Sequence, residues 1–98
     1  MDKRLHDIAV VIPAFEPGTA LPGLLGALRR LGFAHIVLVD DGSPAEYAPV
    51  FRAAQAEYAC VVLRHAANLG KGRALKTAFN YILTERGDLR GAVTMDAD

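Results

Sequence analysis

Apolar residues cluster in four short runs along the chain, and three segments with helical periodicity separate these runs. The runs are nearly continuous and rich in valine and isoleucine, which is typical of parallel strands covered on both faces. They are Ile8–Ile12, Ile36–Val39, Cys60–Leu63 and Ala92–Met95. Alternation of strands and helices predicts right-handed crossovers and an α/β fold with one parallel sheet.

The first helical segment carries leucines at a spacing that places them on one face of a helix. Thr19 is positioned to cap its start, and Gly32 is positioned to end it. These leucines are Leu21, Leu24, Leu25, Leu28 and Leu31. A stripe of this kind indicates a face that packs on the core.

Two further helices follow. The second has a weaker pattern over about Ala45–Glu57 and opens with Ser43-Pro44, a cap-like pair. The third has one apolar stripe, and Gly87 is placed to stop it. This stripe, which we also assign to the core, consists of Leu75, Ala78, Phe79, Ile82 and Leu83.

The chain contains no internal repeat, low-complexity tract or linker, so residues 1–98 are predicted to form one domain with a Rossmann-like sheet of strand order 3-2-1-4. The last strand runs into Asp96-Ala97-Asp98 with no helix after it, which suggests a truncated domain. Strand four would then be an uncovered edge. An uncovered apolar edge favours pairing with another chain, so we expect a homodimer or a swapped oligomer.

Composition restricts the classes of partner. Eleven basic and eleven acidic side chains cancel, so the chain has no basic field for nucleic acid or an anionic membrane. No apolar segment is long enough for a signal peptide or a membrane span. We therefore expect a cytoplasmic domain whose full-length form could be membrane-associated. The single cysteine, Cys60, lies in an apolar run and is interpreted as a buried strand residue.

Unusual residues fall at the carboxyl end of each predicted strand. Strand one runs into residues 13–18, strand two into 40–43, strand three into 65–72 and strand four into 96–98. In open α/β sheets, ligands bind at these ends where the strand order reverses. With the order 3-2-1-4 the crevice lies between strands one and four.

The carboxylates of Asp96 and Asp98 can converge on one cation where a strand passes into a loop. Hard oxygen ligands suit Mg²⁺ or Mn²⁺, particularly when a diphosphate completes the coordination sphere. Such a cation stabilises the charge that builds on a nucleoside-diphosphate leaving group. By itself the Asp-X-Asp pattern is weak evidence and more often marks a solvated turn.

Two acidic residues, Asp40 and Asp41, follow the second strand directly, and their carboxylates can accept hydrogen bonds from a base N–H or a ribose hydroxyl. Ordinary turn chemistry also accounts for the Gly42-Ser43 pair that follows. Ser43 is not a hydrolase nucleophile on this pattern, because the surrounding sequence is not Gly-X-Ser-X-Gly.

A glycine-rich turn, Asn68–Arg73, precedes the third helix and presents free N–H groups together with the positive charges of Lys71 and Arg73. Its spacing is wrong for a Walker A loop, and no dinucleotide-binding Gly-X-Gly-X-X-Gly follows strand one. The three histidines, at positions 6, 35 and 65, lack metal-ligand spacing, and we assign them to the surface or to loops.

Four motifs in this order resemble family 2 glycosyltransferases, closest to the dolichyl-phosphate mannose synthase-like branch. They are Val-Val-Ile-Pro-Ala-Phe, Leu-Val-Asp-Asp-Gly-Ser, Asn-Leu-Gly-Lys-Gly-Arg-Ala-Leu and Thr-Met-Asp-Ala-Asp. The resemblance spans about Ile8 to Asp98. It implies a GT-A fold, a UDP- or GDP-sugar donor with Mg²⁺ or Mn²⁺, and transfer with inversion in cell-wall or polysaccharide biosynthesis.

The resemblance also implies roles for individual residues. Asp40 or Asp41 would hold the base, and the Gly70-Lys71 pair would close over the nucleoside. Asp98 would be the principal metal ligand, with Asp96 near the ribose and the metal. The nucleotide-binding candidates are Pro13, Ala14, Phe15, Glu16, Asp40, Asp41, Gly42, Ser43, Gly70, Lys71 and Asp96.

The chain departs from the family pattern in its first loop, where members often read Pro-Ala-Tyr-Asn-Glu. Here Phe15 lacks the tyrosine hydroxyl, and Glu16-Pro17-Gly18 replaces Asn-Glu. The catalytic base and the acceptor site would lie beyond residue 98, so we expect a donor-binding half with little or no transferase activity. The acceptor would be a polyprenyl phosphate or a glycan.

The principal alternative is a non-catalytic nucleotide-binding or receiver-like regulatory α/β domain. Receivers place an acid pair after the first strand, however, where this chain has Pro13-Ala14-Phe15. A sugar nucleotidyltransferase would need a glycine-rich arginine loop at the same position, and residues 13–18 do not supply one.

Overall fold

The computed structural model describes residues 3–97, and it confirms the α/β fold and the strand order. Four parallel strands lie in the order β3-β2-β1-β4. In chain order the strands and α-helices are β1 (Ile8–Ala14), α1 (Leu21–Leu31), β2 (His35–Asp40), α2 (Ala48–Tyr58), β3 (Val61–Arg64), α3 (Lys71–Glu85) and β4 (Gly91–Thr94). Short 3-10 helices occupy Lys3–Asp7 and Ala45–Tyr47.

The two central strands, β1 and β2, are covered on both faces, as their continuous apolar sequences predict. Val10 and Ile12 point into a cluster with α1 and α2, while Ala9 and Val11 point into a second cluster with α3. All four are completely buried. Burial of each large aliphatic side chain of this kind contributes about 1.5–3 kcal/mol to stability, so the two central strands form the rigid base of the sheet.

Helix α1 ends as predicted but begins differently. Gly32 adopts a left-handed conformation, φ 109°, and its N–H bonds to the carbonyl oxygens of Arg29 and Leu28. Thr19 is not the N-cap, because Ala20 occupies that position and no side chain caps the helix. Pro22 in the first turn supplies the fixed φ and missing N–H that suit a helix start.

The Arg29 side chain joins the end of α1 to the end of α2. Its guanidinium donates to the carbonyl oxygens of Tyr58 at 2.7 Å and Ala59 at 2.9 Å. It also donates to Phe33 at 2.9 Å and Ala34 at 2.6 Å. The bonds to Tyr58 and Ala59 satisfy carbonyl groups that the end of α2 leaves without partners in the helix.

The predicted second helix is divided into two parts. Residues 45–47 form a 3-10 turn, and the α-helix proper begins at Ala48, with Pro49 in its first turn and no side-chain cap from Ser43. Cys60 is buried as predicted, but it precedes β3 rather than lying within it. Burial raises the pKa of its thiol to about 11.

Strand β4 lies at the edge of the sheet, as predicted, but the helix face beside it differs from the prediction. All four residues of β4 are exposed, and the α3 side chains Phe79 and Leu83 are 38% and 78% exposed rather than buried in the core. Ala78 and Ile82 are buried as predicted, and Ala74 joins them on the buried face of α3. A periodic stripe indicates an apolar face but not whether anything covers it, and no element within residues 3–97 covers this one.

The end of α3 is also different, since Arg86 rather than Gly87 follows the last helical residue. An apolar groove of about 280 Å³ runs between α3 and β4, bordered by Phe79, Leu83, Leu89 and Ala92. None of the helices in the described part of the chain has the length and apolar character needed to cross a bilayer.

Candidate functional site

An open cleft of about 500 Å³ lies at the carboxyl ends of the strands, between the loops that follow β1 and β4. This is the crevice that the strand order predicts. Most of the nucleotide-binding candidates line it: Pro13, Ala14, Phe15, Asp41, Gly70, Lys71 and Asp96. Because β1 and β2 are packed on both faces, the residues that directly follow them, Phe15 and Asp41, project from a fixed base.

Asp41 is the acid of the cleft with the most hydrogen bonds. Its Oδ1 accepts hydrogen bonds from the backbone N–H of Leu69 at 2.9 Å and from His65 Nδ1 at 2.8 Å. Its Oδ2 accepts one from the N–H of Gly70 at 2.9 Å. Burial raises the pKa of the Asp41 carboxyl, but the bonds from Leu69, His65 and Gly70 outweigh burial and leave the pKa below its usual value. Asp41 is therefore a fixed carboxylate that anchors the loop before α3.

Asp40 and Ser43 lie away from this cleft. The Oδ1 atom of Asp40 accepts the N–H of Ser43 at 2.9 Å, which closes the turn after β2. Both residues border a separate cavity of about 240 Å³ beside α2. Of the two adjacent acids that the sequence left open, Asp41 lines the cleft, and Asp40 holds the turn.

The first loop is tied to the same turn. The N–H of Glu16 donates to Ser43 Oγ at 2.9 Å. Glu16 has φ 48°, a left-handed conformation that is uncommon for a residue other than glycine. Ser43 therefore acts on the cleft indirectly, by fixing the loop that presents Phe15, whose side chain is 44% exposed.

Gly42 sits where two loops meet. Its φ is +78°, and a Cβ built there would lie 2.2 Å from the carbonyl carbon of Ala67 and 2.3 Å from Asn68 N. The turn after β2 therefore packs directly on the backbone of the loop after β3. Only a residue without a side chain permits this approach.

A salt bridge spans the mouth of the cleft. Lys71 Nζ lies 2.8 Å from Asp96 Oδ1, and both side chains are largely exposed. Exposed pairs of this kind are weak and exchange readily with ligands. The Lys71 ammonium can therefore turn toward a bound anion, and the Asp96 carboxylate can turn toward a bound cation.

Asp96 is the candidate metal ligand that lies within the described residues. The carboxylate of Asp96 is the hard oxygen donor that Mg²⁺ and Mn²⁺ prefer. Residues 3–97 contain no group of three or more His, Cys, Asp or Glu side chains placed to hold a metal. Asp98, the predicted principal ligand, lies outside the described residues.

Residues 9–98 match the family model described as Glycosyl transferase family 2. The chain belongs to glycosyltransferase family 2. An undecaprenyl-phosphate 4-deoxy-4-formamido-L-arabinose transferase from Pseudomonas paraeruginosa is 39% identical over 98 residues, covering 93% of this chain and 27% of that protein. One of the same name from Enterobacter sp. is 35% identical, covering 98% of this chain and 30% of that protein.

An uncharacterized protein of Methanocaldococcus jannaschii is 33% identical over 92 residues, covering 94% of this chain and 35% of that protein. This family 2 chain thus spans about a third of the length of these relatives. The similarity extends over nearly all of the chain, so the cleft and the loops around it lie within the matched region.

Three residues at or near the cleft of this family 2 chain were not among the sequence candidates: Asn68, Ala97 and His65. Asn68 lines the cleft, and its place at the head of the glycine-rich turn was the available signal. His65 was assigned to the surface or a loop. It does lie in the loop after β3, but it is buried, and its ring bonds to Asp41 and Thr77. No spacing rule links positions 41, 65 and 77.

Proposed function

We propose that this chain is the donor-binding half of an inverting glycosyltransferase and that the cleft holds a nucleotide-diphosphate sugar. The position of Asp41 carries the proposal. This carboxylate borders the cleft together with the first loop, the Gly70-Lys71 turn and Asp96. Asp41 thus offers a fixed hydrogen-bond acceptor. At the mouth, Lys71 offers an ammonium group and Asp96 a carboxylate.

Asp41 is proposed to hold the base or the ribose. An ionised carboxylate has about four lone-pair positions, and the N–H donors of Leu69, Gly70 and His65 use three of them. The remaining position, on Oδ2, suits one N–H of a uracil or guanine base or one ribose hydroxyl. Phe15, exposed at the rim, offers an aromatic surface beside it.

The diphosphate is proposed to lie at the start of α3. The first N–H groups of a helix have no partner within the helix and attract anions, and Lys71 is the first residue of this helix. Lys71 can turn from Asp96 toward a phosphate oxygen. That movement would leave the Asp96 carboxylate available for a cation.

Asp96 and Asp98 are the residues we propose to hold Mg²⁺ or Mn²⁺. The bound cation would stabilise the negative charge that develops on the leaving nucleoside diphosphate. Lys71 would share that task from the opposite side of the mouth.

The acceptor is proposed to be a polyprenyl phosphate, because relatives are named for undecaprenyl phosphate. A phosphate oxygen would attack the anomeric carbon from the face opposite the diphosphate, which departs with the electron pair of the broken C–O bond. This phosphate is already ionised near neutral pH, so the attack needs no general base. The whole protein would then work at the cytoplasmic face of a membrane, and this chain alone would show little transfer.

Isothermal titration with UDP and with GDP, each in the presence of Mn²⁺, tests the donor site. We expect saturable binding of one nucleotide, and we expect Asp96→Ala and Asp98→Ala each to remove its dependence on Mn²⁺. Asp88→Ala is the matched control, because Asp88 is an exposed aspartate paired with Arg86 outside the cleft. If neither nucleotide binds to the unchanged chain with Mn²⁺, the donor site is refuted.

We also propose that the chain self-associates through β4. This edge strand is exposed along its whole length, and Val93 on it is 39% exposed. The exposed side chains of Phe79 and Leu83 lie along the neighbouring groove. A second copy pairing along β4 would satisfy the free backbone groups of the edge and cover this apolar surface.

Light scattering over a range of concentrations tests the self-association. We expect dimers in the unchanged chain and monomers in Val93→Lys, because a lysine on the edge blocks strand pairing. Val61→Lys places the same charge on the opposite edge strand, β3, and should leave the dimer intact. A clean monomer at high concentration, or equal dissociation by both variants, would contradict pairing through β4.

A further inference from the structure

We infer that His65 is a positioning residue for the donor site: its ring holds the Asp41 carboxylate in the orientation that fixes the Leu69–Gly70 backbone at the cleft. This inference rests on the proposed nucleotide site. His65 itself is not among the residues that border the cleft. It therefore acts through Asp41 and has no direct part in the chemistry.

The His65 ring is held on every side. The backbone N–H of His65 bonds to the carbonyl oxygen of Asp40 at 2.8 Å, which extends the pairing of β2 and β3. Ring atom Nδ1 lies 2.8 Å from Asp41 Oδ1, and Nε2 lies 2.7 Å from Thr77 Oγ1. The side chain is 8% exposed. A ring with both nitrogens bonded and almost no solvent contact has a single orientation.

The partners determine which nitrogen carries the proton. The Asp41 carboxylate only accepts hydrogen bonds, so Nδ1 must donate. In the neutral ring Nε2 is then an acceptor, and the Thr77 hydroxyl donates to it. The hydrogen bonds from Thr77 to His65 and from His65 to Asp41 therefore form one series that joins α3 to the ends of β3 and β2.

The glycine-rich turn depends on this series. Leu69 is 50% exposed, so packing holds it weakly, and its N–H and that of Gly70 both donate to Asp41. Oδ1 of Asp41 is shared between Leu69 and His65. Without the His65 donor the carboxylate can rotate, and the two backbone donors lose a fixed acceptor. Lys71 follows Gly70 directly and begins α3, so the start of this helix would no longer be held in place at the cleft.

Two isosteric replacements separate the two bonds of the ring. In His65→Asn the side-chain amide nitrogen takes the place of Nδ1 and can still donate to Asp41. In His65→Gln the amide reaches toward Thr77 at the place of Nε2, and Asp41 loses its donor. We expect nucleotide affinity within about threefold of the unchanged chain for Asn and about 10- to 100-fold lower for Gln, the range for a hydrogen bond to a charged group.

Amide hydrogen exchange without nucleotide distinguishes the inference from the proposed function. We expect Leu69 and Gly70 to lose protection in His65→Gln and to keep it in His65→Asn, whether or not the chain binds nucleotide. If the unchanged chain binds no nucleotide, the proposed function fails, while this exchange pattern still supports the positioning of the loop. Equal exchange at Leu69 and Gly70 in the two variants would overturn the inference. It would also be overturned if each variant lost nucleotide affinity only in proportion to its fall in urea midpoint.

Discussion

Replacing Gly42 with alanine is expected to leave most molecules unfolded, whereas the same replacement at Gly70 is expected to be tolerated. Both glycines have positive φ, +78° and +96°. They differ in the space around them. At Gly42 the three nearest atoms to an added Cβ are backbone atoms of Ala67 and Asn68, between 2.2 and 2.6 Å away, while at Gly70 no atom lies within 4 Å.

A Cβ at Gly42 cannot be relieved by turning a side chain, so the loop after β3 must move. That loop carries His65, Leu69 and Gly70, whose bonds to Asp41 would be strained or broken. We expect a loss of more than about 4 kcal/mol, the range of severe core damage, against a total of about 5–15 kcal/mol for a typical domain. Gly70→Ala should cost about 1–3 kcal/mol for the backbone conformation alone.

Urea unfolding measures both losses on one scale. We expect Gly42→Ala to have no cooperative transition at room temperature, or a midpoint far below that of Gly70→Ala. Similar midpoints for the two variants would show that conformational cost alone, rather than close backbone approach, decides the effect. They would contradict the packing of the turn after β2 on the loop after β3.

The fold could be predicted from the sequence where burial was complete. Strands β1 and β2 are covered on both faces, so their apolar runs are continuous and unmistakable. Strand β4 and its place beside β1 were also predicted. The burial of the neighbouring α3 face was not, because the pattern that marks Phe79 and Leu83 as apolar is the same whether or not a neighbour covers them. Single residues that commonly cap helices, such as Thr19 and Gly87, also did not predict the exact helix ends. The caps are Ala20 for α1 and Arg86 for α3.

The site was predictable by position but not by partner. Strand-end chemistry placed acids and glycines at one edge of the sheet, and the cleft lies there. The choice between Asp40 and Asp41 depended on which of them bonds to the loop after β3, and those partners of Asp41 are 24 to 29 residues away along the chain. His65 could not be found because its partners are 24 and 12 residues away, at Asp41 and Thr77. Such a contact exists only after β2, β3 and α3 have packed.

Asp41→Asn is expected to lower nucleotide affinity by about 100-fold or more, while Asp40→Asn is expected to leave affinity nearly unchanged. The two positions are adjacent and similarly buried, 4% and 6% exposed. An asparagine at position 40 can still accept the N–H of Ser43. At position 41 it has one oxygen for three donors, so its amide group would face the N–H of Gly70 or the donors on Oδ1. A buried donor left without an acceptor costs about 1–3 kcal/mol.

The pH dependence of stability tests the same carboxylate independently of any nucleotide. The pKa of Asp41 is lowered in the folded chain, so its contribution is present above the unfolded pKa, about 3.9, and is lost as the pH falls through the folded value. The unchanged chain should therefore exceed Asp41→Asn in urea stability at pH 7, and the gap should close in strongly acidic solution. A gap that is independent of pH would mean that shape, rather than charge, accounts for the loss.

Equal nucleotide affinity in Asp40→Asn and Asp41→Asn would show that the carboxylate facing the cleft is not the one that holds the donor.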